Sequence, residues 1–171
     1  MKTKRVVVLP YDPKWKDDFE AIKREIADAV GELTVSVEHV GSTSVEGMSA
    51  KPIIDIDVVI KDESVFEEVV RRLAGIGYIH EGDLGIKGRE AFRYSGKNHL
   101  REHHLYVCPQ DSRELFRHVK FRDFLRSHPE AVKRYSEVKE TAARLFPDNI
   151  DGYMEYKAPC IKEIYSLCGL E

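Results

Sequence analysis

Apolar side chains recur at helical spacing early in the chain: Trp15, Phe19, Ile22, Ile26 and Val30 fall on one helix face. Asp12-Pro13 offers a cap and a first-turn proline, and Gly31 closes the segment. The period then changes to two, with Leu33, Val35 and Val37 predicting a strand that ends at His39-Val40. A GSTS turn follows, and PIIDIDVVI predicts a second strand over 53–60. Asp62 starts another amphipathic helix carrying Phe66, Val69 and Leu73. Short strands are expected over 78–81, 89–94 and 102–108, separated by turns bearing Gly82, Gly85, Gly88 and Gly96. From Asp111 onward the pattern is helical, with segments at about 112–126, from Pro129, and at about 152–167. The layout predicts an α+β or α/β fold: a mixed sheet flanked by helices over about 1–110, and a helical C-terminal part over about 111–171 packed on it as one domain.

Composition narrows this picture. A chain of 171 residues, 42% hydrophobic and 33% charged, has enough apolar material for a core and a soluble surface. The net charge of −3 gives no reason to expect a long nucleic acid as partner. Cys108, Cys160 and Cys168 are far apart and form no CxxC pair, so they read as reduced thiols. No apolar run is long enough for a membrane span, and the basic start MKTKR precedes too short an apolar stretch for a signal peptide. A cytoplasmic protein is expected.

The chemistry concentrates between His39 and Ile60. Asp55 and Asp57 sit two apart in an apolar strand, so they project to one face, roughly 6.5–7 Å apart. Two like charges there are costly unless something positive sits with them. Upstream, Gly41-Ser42 ends a strand at a sharp turn, where a hydroxyl and close backbone approach suit a phosphate. Alone, GSTS reads far more often as a plain loop, and an acidic pair at a strand end is often solvated. The combination is more specific than either part.

Hydrophobic-Gly-Ser followed by Asp-hydrophobic-Asp-hydrophobic resembles the signature of the nucleotidyltransferase superfamily of DNA polymerase β. More closely, HVGSTSVEGMSAKPIIDIDV is similar to the GrpB family, and so are VVVLPYDPKWKDDFE, HHLYV, FRDFLRSHPE, YSEVK and YMEYK, which together cover most of the chain. Glu46 and Tyr106 depart from that family's pattern, which more often has proline and histidine there. The resemblance implies a nucleotidyltransferase-like fold in which Asp55 and Asp57 hold Mg²⁺ (or Mn²⁺), and Gly41, Ser42 and Ser44 hold the phosphates of a nucleoside triphosphate. It implies Mg²⁺-dependent transfer of a nucleotidyl group to an unknown acceptor, a small molecule being favoured over nucleic acid. The alternative is a non-catalytic nucleotide- or metal-binding module of the same fold.

Lys51 and Arg93 are phosphate partners on this reading, Arg93 through its planar fork. A third acid is expected from the strand EHHLYV, where His104 can serve as base or ligand and Glu102 as the missing carboxylate. His39 either faces the cleft or caps its strand. In the tail, Arg122 and the pairs Tyr135/Lys139 and Tyr153/Lys157, each at i,i+4, either wall the pocket or anchor an aromatic in the core with a lysine at the rim.

One rival motif stands in plain view. His99, Glu102 and His103 match HxxEH, an inverted zinc-peptidase signature that requires a helix. Gly96 before it and a strand-like LYVCP after it argue against that helix.

Overall fold

The computed structural model describes residues 5–170. Helix α1 spans Lys14–Val30, where Oδ1 of Asp12 accepts the backbone N–H of Lys14 at 2.9 Å and Trp15, Phe19, Ile22, Ile26 and Val30 are buried. Gly31 does not end the helical path but begins one 3-10 turn, Gly31–Leu33. Strands β1 (Thr34–Val40) and β2 (Ile54–Ile60) flank the Gly-Ser turn. Asp62 caps a further 3-10 turn, Glu63–Val65, so helix α2 starts only at Phe66 and runs to Gly75. Strands β3 (Ile79–Gly82), β4 (Glu90–Arg93) and β5 (His103–Pro109) complete the sheet. Three helices follow: α3 (Arg113–Arg126), α4 (Pro129–Leu145) and α5 (Ile150–Leu167). Ser112 caps α3 by accepting the amide of Leu115, and Asn149 caps α5 through the amide of Gly152.

The five strands lie in the order β1-β2-β5-β4-β3. β2 and β5 are parallel, and the other pairs are antiparallel. The fold is α+β with a mixed sheet. Alternation divides β2 between two layers. Ile54, Ile56, Val58 and Ile60 join Leu105, Val107 and Phe92 in the main core against α1 and α2. Asp55, Asp57 and Val59 project to the other side, where Val59 and Cys108 pack on Leu115 of α3. Val45 and Met48, just after the Gly-Ser turn, insert into the tail among Leu125, Val132, Tyr135 and Ile164. The turn is therefore clamped between sheet and tail. Among the described residues no helix is long and apolar enough to cross a membrane.

Candidate active site

Asp55 and Asp57 begin on a shared sheet face and end in different environments. Asp55 pairs across the sheet with Val40 on one side and His104 on the other. Nδ1 of His104 lies 3.0 Å from Oδ1 of Asp55, and both side chains keep solvent contact. Asp57 is fully buried, and Nδ1 of His118, from α3, donates to its Oδ2 at 2.7 Å. The hydrogen bond to Asp55 raises the His104 pKa against the opposing effect of burial. Burial works to lower that of His118, but the bond to Asp57 and the charges of Asp57 and Glu114 carry it above its ordinary value. Each carboxylate thus has its own imidazole.

Gly41 adopts φ +74°, and a β-carbon there would collide with the Asp55 carboxylate. Only glycine lets the turn approach the acid this closely. The next residues form a 3-10 turn, Ser42–Ser44. The Ser44 hydroxyl donates to the Gly41 carbonyl at 2.5 Å, so it holds the turn together and is not presented to the cleft. Arg126 donates to the Ser44 carbonyl and Arg122 to Glu38 and the His39 carbonyl, fastening α3 to the same turn.

A cleft of about 190 Å³ opens beside Asp55, lined by Ser42, Lys51, His104, Lys139, Tyr153 and Lys157 among others. Nζ of Lys139 donates to Oγ of Ser42 at 2.7 Å and lies 4.2 Å from the Tyr135 ring centroid. Lys157 sits over Tyr153 at 4.9 Å, and Lys51 over the same ring at 5.7 Å. Both YxxxK patterns resolve the same way: the tyrosine is buried, and the lysine turns to the cleft. Burial drives the Lys139 pKa well below the lysine range, with the charges of Lys157 and Lys51 adding to it. Burial and the charge of Lys51 bring Lys157 down to about 8. Ammonium groups gathered this way are stabilised by an anion.

The remaining expected residues lie elsewhere. His39 sits on the opposite sheet face, its ring stacked on Phe19 at 4.6 Å and its Nε2 2.9 Å from Oγ1 of Thr43. Burial lowers its pKa to about 4. Glu102 precedes β5, and its carbonyl accepts the amide of Ile54. Its side chain lines, with Arg93, a separate groove on the far side of His104. The HxxEH residues form no helix: His99 meets Glu25, and buried His103 meets the Tyr78 hydroxyl at 2.7 Å. Nothing in the sequence marked His118, since a histidine in a charged helix carries no sign of its partner. Lys139 was marked by its YxxxK spacing.

Two observations fit a divalent cation held together with an anionic ligand. Oδ1 of Asp57 is buried with no hydrogen-bond partner, a costly arrangement for a carboxylate oxygen. Asp55 and Asp57 are hard oxygen donors, and Mg²⁺ binds through a few carboxylates plus phosphate oxygens. Among the described residues no group of three or more His, Cys, Asp or Glu side chains forms a complete cage.

The GrpB protein family matches residues 5–167. The chain is 33% identical over 159 residues to the UPF0157 protein YqkA of Bacillus subtilis (strain 168), covering 93% of this chain but only 46% of that protein's length. It superposes on the crystal structure of the conserved protein GrpB from Enterococcus faecalis with a TM-score of 0.83 and 33% identity, covering 95% and 96% of the two chains. The Cid1 poly(U) polymerase with MgGTP bound shares the fold at a TM-score of 0.53 and 10% identity, over 77% of this chain and 42% of that one.

Proposed function

The chain belongs to the GrpB protein family, and we propose that it transfers a nucleotidyl group from a nucleoside triphosphate to a hydroxyl of a small acceptor, with Mg²⁺ as cofactor. The observation that carries this reading is the gathering of Lys51, Lys139 and Lys157 around the cleft beside Asp55, with Lys139 bonded to Ser42. One buried and two half-buried ammonium groups beside a hydroxyl and a glycine turn call for a polyphosphate.

Asp55 and Asp57 would hold the metal, whose contribution when bound is neutralisation of phosphate charge. Lys139 and Lys157 draw the β- and γ-phosphates toward Ser42 and stabilise charge on the departing pyrophosphate. Gly41 keeps the backbone clear of the Asp55 carboxylate. The acceptor oxygen bonds to the α-phosphorus, the bond from that phosphorus to the α–β bridging oxygen breaks, and pyrophosphate leaves. The hydroxyl proton passes to water at the open side of the cleft. His104 holds Asp55 at that side and borders the acceptor's approach.

The second reading, a nucleotide- or metal-binding module without catalysis, draws on one observation. The β2–β5 register sets His104 across from Asp55 and Tyr106 across from Asp57, so no third carboxylate stands in that row.

Calorimetric titration with each of the four NTPs in Mg²⁺, beside the Asp55→Asn/Asp57→Asn double variant, tests the common ground. Metal-dependent binding lost in the variant supports the site, and pyrophosphate release in the presence of acceptors separates enzyme from module. Failure of every NTP to bind at millimolar concentration removes the transferase and the nucleotide-binding module, leaving at most a metal-binding one.

A further inference from the structure

His104 borders two separate cavities. One is the lysine-lined cleft, and the other is an open groove of about 460 Å³ on the far side, lined by Glu81, Leu84, Arg93, Glu102 and Tyr106 among others. From the side-chain pattern, we infer that this groove is a second anion site, which seats a small polyhydroxylated anion of the sugar-phosphate class as the acceptor. The acceptor role rests on the nucleotidyl-transfer reading; the anion site itself does not.

Arg93 carries the charge argument. It is exposed at the end of β4, and none of the ion pairs among the described residues includes it. An unpaired guanidinium fork in a groove matches a phosphate or carboxylate in two-point geometry. Arg89 does not compete for the ligand, because its guanidinium is stacked on the Tyr106 ring at 4.1 Å.

The two carboxylates complete the selectivity. Glu81 and Glu102 are acceptors only, so they favour a ligand rich in hydroxyl donors and disfavour one with the higher charge of a triphosphate. A second triphosphate is thereby disfavoured, whereas a molecule with one anionic end and several hydroxyls satisfies all three side chains.

Position supplies the remaining argument. In-line displacement places the attacking oxygen opposite the leaving group. With pyrophosphate drawn to the lysines, the attacking hydroxyl must come from the side away from them. His104 and Asp55 mark that boundary, and the groove lies just beyond it.

The test is backbone amide NMR with glycerol 3-phosphate as the probe and glycerol as the neutral control, with and without a non-hydrolysable NTP analogue in Mg²⁺. The expected result is shifts at Arg93, Tyr94 and Glu102 to Tyr106 that persist when the analogue fills the lysine cleft. Arg93→Gln weakens glycerol 3-phosphate at least tenfold, and Glu102→Gln shifts the preference toward inorganic phosphate. Shifts confined to Ser42, Lys51 and Lys157 and displaced by the analogue would overturn the inference, as would indifference to Arg93→Gln. Should the analogue itself not bind, nucleotidyl transfer falls, while groove shifts abolished by Arg93→Gln still uphold the second anion site.

Discussion

Nδ1 of His118 donates to Oδ2 of Asp57 at 2.7 Å, while the other oxygen of that carboxylate is buried without a partner. The pair joins α3 to β2 across 61 residues of sequence. Removing the imidazole leaves a buried charge with nothing to balance it, so His118→Ala is expected to destabilise the protein by about 3 kcal/mol in urea denaturation. Adding Asp57→Asn in the same chain recovers most of that loss. The sign with pH follows from the raised His118 pKa. Its contribution is fully present below the unfolded histidine pKa and disappears as pH rises through the higher folded value. The gap between wild type and His118→Ala is therefore widest near pH 6 and narrows toward alkaline pH.

Lys139→Met separates binding from folding. The buried ammonium is held at a cost, so a methionine of similar length leaves stability unchanged or raises it by about 1 kcal/mol. Affinity for pyrophosphate in Mg²⁺, measured by calorimetry, drops at least tenfold. A variant that unfolds while the ligand still binds would argue that Lys139 serves the core instead of the cleft.

Lys157 ties ligand binding to protons. Its pKa of about 8 in the free protein means that it is partly neutral at pH 8.5. A polyphosphate beside it favours the charged form, so binding at pH 8.5 takes up protons. Calorimetry in buffers of different ionisation enthalpy reads that uptake, and Lys157→Met reduces it. The linkage also runs through folding: a cation with a depressed folded pKa costs stability below about 8, a cost relieved as pH rises toward the ordinary lysine value.

Gly41→Ala tests the close approach of turn and acid. The substituted residue must hold φ +74° and push against the Asp55 carboxylate, a strain on the order of 1–3 kcal/mol. Thermal unfolding should shift down accordingly, and Mg²⁺-dependent NTP binding should be lost, because the added β-carbon displaces the Asp55 carboxylate.

How much of this was legible in the sequence varied with the range of the interaction. The α1 face from Trp15 to Val30 appeared from periodicity because one helix and one core decide it. The shared face of Asp55 and Asp57 followed from strand alternation alone. His39 was beyond reach for a related reason: its face depends on the antiparallel register with β2, where it lies opposite Ile56 and not an aspartate. Ser44 sits one residue too deep in a 3-10 turn, a geometry that four small residues do not announce. The lysines stood out individually, Lys139 and Lys157 through their YxxxK spacing, but their meeting in one cleft, like the approach of His118 to Asp57, depends on how α3, α4 and α5 settle on the sheet.

The parallel pairing of β2 with β5 sets Asp55 beside His104 although 49 residues separate them in the chain. Closing a loop of that length costs entropy before any contact across it contributes. A ribosome-bound chain that has emerged only through β2 exposes both aspartates with neither imidazole in place. The acids gain their counter-charges only after β5 docks and α3 folds down over it. Assembly of the pocket is in this sense a late event in the life of each molecule, and its integrity reports on whether the whole sheet has closed.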